Sequence, residues 1–175
     1  MDLAELRRRI DDWGHELGFQ KIGVAGVDLQ EAEARLIDWL AQGYHGDMHY
    51  LERHGTRRSR PAELVPGTLR VICARLDYLP PEAEHSAAVL EDGARAFVSR
   101  YALGRDYHKV MRARLEQLAD RVQSEIGPFS YRVFTDSAPV MEVELAVKAG
   151  LGWRGKHTLL LDREAGSWFF LGEIY

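Results

Sequence analysis

The stretch from Tyr131 to Glu173 restricts the fold most. A β-rich run, Tyr131–Thr135, ends on Asp136-Ser137-Ala138-Pro139, and the proline predicts the start of a helix that Gly150 stops. A strand thereby hands a carboxylate to the mouth of a helix. Behind it come a glycine-rich basic loop, Gly150-Leu151-Gly152-Trp153-Arg154-Gly155-Lys156-His157, and a closing hairpin. That hairpin is expected to pair Thr158–Leu161 with Ser167–Ile174 around Glu164-Ala165-Gly166. Such a chain has to stack helices on a sheet, because neither element buries its apolar face alone.

Upstream, Leu3, Leu6, Ile10, Trp13 and Leu17 share one helical face, and Gly18 follows as a stop. Lys21–Val27 alternates as a strand with Ile22 and Val24 inward. Asp28 and Glu31 predict a capping box for a helix carrying Leu36, Ile37 and Leu40 up to Gly43. Tyr44–Gly67 reads as irregular, and a loop of that length is usually functional or mobile. Arg70–Leu76 is a buried-strand candidate, and Pro80-Pro81 through Gly93 a polar surface loop with one helical turn. Arg95–Tyr101 reads as a further strand. Met111, Leu115, Leu118, Val122 and Ile126 then form the stripe of a long helix ended by Gly127-Pro128. The order α-β-α-loop-β-β-α-β-α-β-β predicts an α+β fold. It is expected to be a single layered domain over residues 1–175, a mixed β-sheet flanked by helices with a C-terminal β-hairpin.

Composition narrows the function. No apolar run approaches the roughly 20 residues of a membrane span, and the N-terminus carries Asp2, Glu5 and Arg7 rather than a signal peptide. A cytoplasmic protein is expected. Cys73 is the single cysteine, which rules out an internal disulfide and an iron–sulfur cluster held by this chain alone, since a cluster needs about four thiolates. Its apolar strand predicts a buried packing residue. The formal net charge of −4 disfavours a dedicated nucleic-acid binder. The exception is Arg53-His54-Gly55-Thr56-Arg57-Arg58-Ser59-Arg60, which holds four arginines in eight residues.

Several clusters have both a bland reading and a chemical one. Asp136 is either a helix cap or an acid at a pocket rim. Capping and the helix dipole would favour its charged form, whereas burial or a flat cofactor would favour the protonated one. Gly150 is read as a helix stop, while Arg154 and Lys156 suit a ligand bearing phosphates or amides. Ser99-Arg100-Tyr101-Ala102-Leu103-Gly104-Arg105-Asp106-Tyr107-His108 crowds polar and aromatic groups at a strand end, or is simply an Asp106 cap with Tyr107 and His108 in solvent. The arginine cluster is either a solvated face or a phosphate site. His45 and His49 have the spacing of a helical metal pair, but no third ligand follows and Gly46 disrupts the helix, so no metal is expected.

Taken in order, these segments resemble epoxyqueuosine reductase across the chain. The matching pieces are Leu17-Gly18-Phe19 with Ile22-Gly23, Leu64-Val65-Pro66-Gly67, Arg100 through His108, Asp136-Ser137-Ala138-Pro139, and Ala149-Gly150-Leu151-Gly152-Trp153 through Glu173. The resemblance implies reduction of epoxyqueuosine to queuosine at the tRNA wobble position, with base-off cobalamin lying over this domain. It places the catalytic acid on Asp136. Cobalamin contacts fall on Arg58, Ser99, Asp136, Lys156, Leu160 and Leu171, the last two through main chain. Tyr107 and His108 fall on the modified-base pocket. It further implies a tRNA substrate, a ferredoxin- or flavodoxin-type electron donor, no membrane partner and a monomer. The family's iron–sulfur clusters belong to a following ferredoxin-like domain, expected beyond Tyr175 and ahead of a helical-repeat domain, so that this chain alone would be inactive. Two other readings stay open, a non-catalytic corrinoid-binding module and a flavin-dependent reductase of similar build.

Overall fold

The computed structural model describes residues 2–79 and 82–175. Helix α1 (Leu3–Glu16) opens the chain, capped by Asp2, and leads to strand β1 (Lys21–Gly26). Helix α2 (Gln30–Ala41) follows, then two 3₁₀ turns and the four-residue α3 (Pro61–Leu64). Strand β2 (Arg70–Asp77) precedes α4 (Ser86–Glu91) and the long α5 (Tyr107–Ile126). The chain closes with β3 (Val133–Phe134), α6 (Glu142–Lys148), β4 (Trp153–Arg154), β5 (Leu160–Leu161) and β6 (Phe169–Ile174).

The main sheet runs β1-β2-β6-β3, and a small ribbon pairs β4 with β5. Strand alternation sends Ile22, Ala74, Leu76 and Ile174 to one face, against the Met111-Leu115-Leu118-Val122 stripe of α5 and Ile10 of α1. The other face sends Ala25, Val71, Cys73 and Phe134 against Leu145 and Ala146 of α6 and Ala32 of α2. The result is three layers, helix–sheet–helix. At Gly23, β1 passes so close to α6 that a Cβ would lie 2.3 Å from the Ala149 carbonyl oxygen. Helix α6 ends with Gly150 at φ 76°, the Gly150 N–H bonding to Val147 O and the Leu151 N–H to Ala146 O. This pairing satisfies carbonyls that the helix end would leave open.

The α+β layering stands, but the strand connections differ from the sequence expectation. Each pairing of the main sheet is antiparallel rather than mixed. The closing hairpin does not form as expected: Leu160–Leu161 pairs with Trp153–Arg154, and Phe169–Ile174 inserts between β2 and β3. Among the described residues, a single isolated bridge, Asp162–Gly166, spans the turn between these two segments. The reason is burial. An almost wholly apolar β6 gains more as a central strand covered on both faces than at an edge. Arg95–Tyr101 is not a strand. It lies on the surface with Phe97 and Val98 exposed, and ends in a 3₁₀ turn, Arg100–Ala102. The capping box at Asp28 is also replaced: Leu29 is the cap residue, and the Asp28 carboxylate accepts the Gln30 N–H at 3.1 Å. Pro80 and Pro81 lie outside the described residues, and the rest of that loop holds α4.

Candidate active site

Helix α6 begins at Glu142, three residues after the proline that predicts its start, with Met141 as its cap. Asp136 is therefore not a cap. Thr135 is buried, and its hydroxyl donates to the Leu171 carbonyl at 2.9 Å, pinning the loop to β6. Asp136 then takes φ 56°, a left-handed conformation that short polar side chains tolerate best. This turn aims its carboxylate at the first turn of α5. There the Tyr107 hydroxyl donates to it, and His108 Nε2 lies 3.2 Å away. His108 Nδ1 is 3.0 Å from the Asp106 carboxylate, which also caps α5 by accepting the His108 N–H. An imidazole set between two carboxylates donates to both only as its cation.

The Tyr107 ring is stacked between His108 and Phe170, with centroids 4.0 Å away on either side. Burial, then the hydrogen bond to Asp136, raises the Tyr107 phenol above its usual range. It thus remains a donor across neutral pH. These groups border an open cavity of about 260 Å³, walled by Tyr78, Tyr101, Tyr107 and Phe170 and floored by Leu160 and Leu171. Glu142 lines it from the N-terminal end of α6. Burial, helped by the charge on Asp136 and opposed by the Asp136 main-chain N–H, pushes the Glu142 carboxyl up to about 7. Beneath it Glu173 is 1% exposed, with neither carboxylate oxygen hydrogen-bonded among the described residues. Burial and then Glu142 hold its carboxyl well above the ordinary range.

Of the residues expected from sequence, Asp136, Tyr107, Leu160 and Leu171 converge on this cavity, and His108 joins through Asp136. Ser99 and Lys156 are exposed, and neither lines it. Arg58 is half-buried with its Nη2 3.5 Å from the Tyr50 carbonyl, while its Nε is buried without a hydrogen bond among the described residues. Burial lowers the guanidinium from its usual range. Arg60 is consumed structurally, 2.7 Å from Glu33 and 3.0 Å from Glu63, so the arginine run is not one uniform patch. Arg53 and Arg57 face solvent. The 3₁₀ turn His49–Leu51 brings Glu52 to His45, with Nε2 and Oε1 2.8 Å apart. A ligand atom from each of His45, His49 and Glu52 falls within 4.8 Å of the others, a third group that helical spacing does not reveal. Cys73 is buried, and burial pushes its thiol up. The sequence did not single out Glu142, Tyr78 or Phe170. Glu173 was visible only as the end of a matching segment.

A family model described as "Epoxyqueuosine reductase QueG, DUF1730" matches residues 58–137. Proteins named epoxyqueuosine reductase from Alicycliphilus denitrificans and Pseudomonas aeruginosa are 62% and 60% identical to the chain over 177 and 174 residues. These alignments cover 98% and 99% of the chain, and 49% and 48% of the relatives. A selenomethionine-labelled epoxyqueuosine reductase superposes with a TM-score of 0.82 at 25% identity, over 99% of this chain and 46% of that one. The Bacillus subtilis structure gives 0.79 at 25% identity, over 99% and 45%, and is described as having a catalytic aspartate loop swung out of the active site. A structure with an epoxyqueuosine-modified tRNA-Tyr stem loop gives 0.78 at 24% identity, covering 99% and 45%. The chain spans about half the length of these relatives. By sequence over nearly its whole length and by fold, the chain is similar to epoxyqueuosine reductases, of which it matches about half the length.

Proposed function

We propose that this chain forms the cobalamin- and substrate-binding half of an enzyme that reduces epoxyqueuosine to queuosine in tRNA, with Asp136 as the proton donor. The observation that carries the reading is Asp136 itself, turned by a left-handed backbone to the rim of an open aromatic cavity and held there by Tyr107 and His108. Removing an epoxide oxygen to leave a double bond consumes two electrons and two protons and releases water. Bound cobalamin would supply the reducing chemistry. Asp136 would protonate the departing oxygen, and Tyr107 and His108 would fix where its carboxyl points.

The cavity suits a flat group laid across it. At about 260 Å³ it is smaller than the roughly 300–1,000 Å³ of sites that enclose a ligand. The main chain at Leu160 and Leu171 would hold the cofactor's macrocycle. Arg58, whose buried Nε lacks a partner among the described residues, together with Ser99 and Lys156, would meet the amide side arms. Thr158, β-branched yet at φ 73°, sits in the turn between Lys156 and Leu160. Backbone strain of that kind gathers at ligand-clamping loops. The name shared by the relatives and the RNA in a structure of the same fold support tRNA as the substrate carrier. Electrons would come from a ferredoxin- or flavodoxin-type donor through clusters held outside this chain.

The test is Asp136→Asn in a chimaera that continues this chain with the remainder of the Pseudomonas aeruginosa relative. Cobalamin binding should persist and turnover should fall by about 100-fold or more, since an amide cannot donate the proton. Wild-type turnover by the variant across neutral pH would sink the acid role. Mixing the chain with cobalamin and with FMN, and recording visible spectra, separates this reading from a flavin reductase.

A further inference from the structure

The reaction proposed above needs two protons, and Asp136 holds at most one. The fold places two more carboxyl groups beside it, Glu142 half-buried and Glu173 fully buried. Glu142 lines the cavity and faces the Asp136 main-chain N–H. Glu173 projects from β6 into the core face shared by Cys73, Phe134 and Leu145, where neither of its oxygens has a hydrogen-bond donor among the described residues. An unpaired carboxylate so deeply buried is strongly disfavoured, so Glu173 is held there as the acid.

We propose that Glu142, backed by Glu173, is the internal source of the second proton, passing it to Asp136 once Asp136 has given up its own. The assignment rests on Asp136 being the donor. In the step, the Glu142 O–H breaks, the Asp136 carboxylate gains that proton, and Glu142 becomes the carboxylate. The Glu173 O–H then reprotonates Glu142, and solvent refills the pair when the cavity reopens. Asp136 is half-exposed in the open cavity and can take protons from water there. A cofactor and an RNA base laid over the cavity would remove that supply and leave only the internal one.

The groups facing the pair are consistent with this. They are Asp136 after β3, Tyr107 on α5, Cys73 on β2 and Tyr175 after β6. None of these four is a cation, so none would trap the pair as carboxylates. Glu142 and Glu173 each raise the cost of ionising Tyr175, and Asp136 raises that of ionising Glu142. Two neighbouring carboxyls of this kind lose their protons as a coupled pair. Glu142, the one of the two that lines the cavity, is the natural exit.

Infrared spectroscopy tests the reserve on the chain itself, independently of any turnover. The carboxylic-acid C=O band should be present in the wild type at slightly acid pH and fade as pH rises through neutrality. That titrating band should disappear in Glu142→Gln. Fully ionised carboxyls at slightly acid pH would overturn the proposal. In the chimaera, Glu142→Gln should lower turnover about tenfold and abolish its decline on the alkaline side of neutrality, and Glu142→Asp should restore much of both. Wild-type turnover and an unchanged pH profile in Glu142→Gln would refute it. A Glu173→Gln variant that melts like the wild type yet slows turnover would support relay over packing. A chimaera inactive toward epoxyqueuosine would sink the reductase reading and the proton's destination with it, while the infrared titration would still decide whether the pair holds a proton.

Discussion

Gly23 offers a direct test of how the sheet and the site-bearing helix are fitted together. A Cβ at this position would lie 2.3 Å from the Ala149 carbonyl oxygen and 2.7 Å from the Ala149 Cβ. Ala149 has no flexible atoms to move aside, so Gly23→Ala has to lift the C-terminal end of α6 from the sheet. Forced overpacking of this kind costs about 1–3 kcal/mol. For a domain of this size each kcal/mol shifts Tm by about 2–4 °C, so melting should fall by about 2–12 °C. Gly26, in the same strand, is the control. Among the described residues, nothing beyond its chain neighbours lies within 4 Å of its Cβ position, and Gly26→Ala should leave Tm unchanged or slightly raised by restricting the unfolded chain. Gly172→Ala should fall between them, because the nearest atoms are the ends of Met111 and Leu115, 2.7 and 2.8 Å away, which can rotate. Thermal melts followed by circular dichroism give the ranking. A Gly23→Ala protein that melts with the wild type would show that α6 does not rest on β1 as described.

The Glu142 carboxyl is raised from 4.5 to about 7 on folding, so the folded state binds its proton more tightly than the unfolded chain does. Its stabilisation is fully present below about pH 4.5 and is lost as pH climbs through about 7, a change on the order of 3 kcal/mol. Urea midpoints at mildly acid and mildly alkaline pH should show this slope in the wild type and a shallower one in Glu142→Gln; equal slopes would contradict the burial. Arg58→Ala should weaken cobalamin binding by about 1–3 kcal/mol, whereas Arg53→Ala and Arg57→Ala should weaken only tRNA binding, with a steep salt dependence. Titrations with both ligands at two salt concentrations decide it, and unchanged cobalamin affinity in Arg58→Ala would remove that residue from the cofactor site.

What the sequence shows depends on how local the cause is. The α5 stripe from Met111 to Val122 and the apolar Val71–Ala74 run match the structure, because a 3.6-residue period or an apolar run is a local signature. Ile126 at the end of that stripe is exposed, and the alternation expected for Lys21–Val27 with Ile22 and Val24 inward does not hold: β1 is covered on both faces, so Gly23 and Ala25 are buried with Ile22 while Val24 is half-buried. Arg95–Tyr101 carries equally strand-like residues but finds no partner, and pairing is a property of the whole fold. For the same reason the insertion of β6 between β2 and β3 could not be read from the turn around Gly166. Asp136 and Tyr107 were each visible, yet the hydrogen bond joining them spans 29 residues of chain. Glu142 was hidden by Pro139, which announces a helix that starts only three residues later, at Glu142 itself, and Glu142 lines the cavity.

The strand order also governs how the molecule can assemble. Because β6 lies between β2 and β3, one of the two central strands of the sheet is supplied by residues 169–174. A nascent chain that has emerged only as far as Trp168 can zip β1 to β2 and pack α1 behind them, but β3 has nothing to pair with. One flank of β2 also stays open. Folding should therefore be late and nearly all-or-none, limited by the long-range closure of β6. A pause in synthesis just before Phe169 should leave an unpaired, apolar strand edge exposed, the state from which intermediates of this type aggregate.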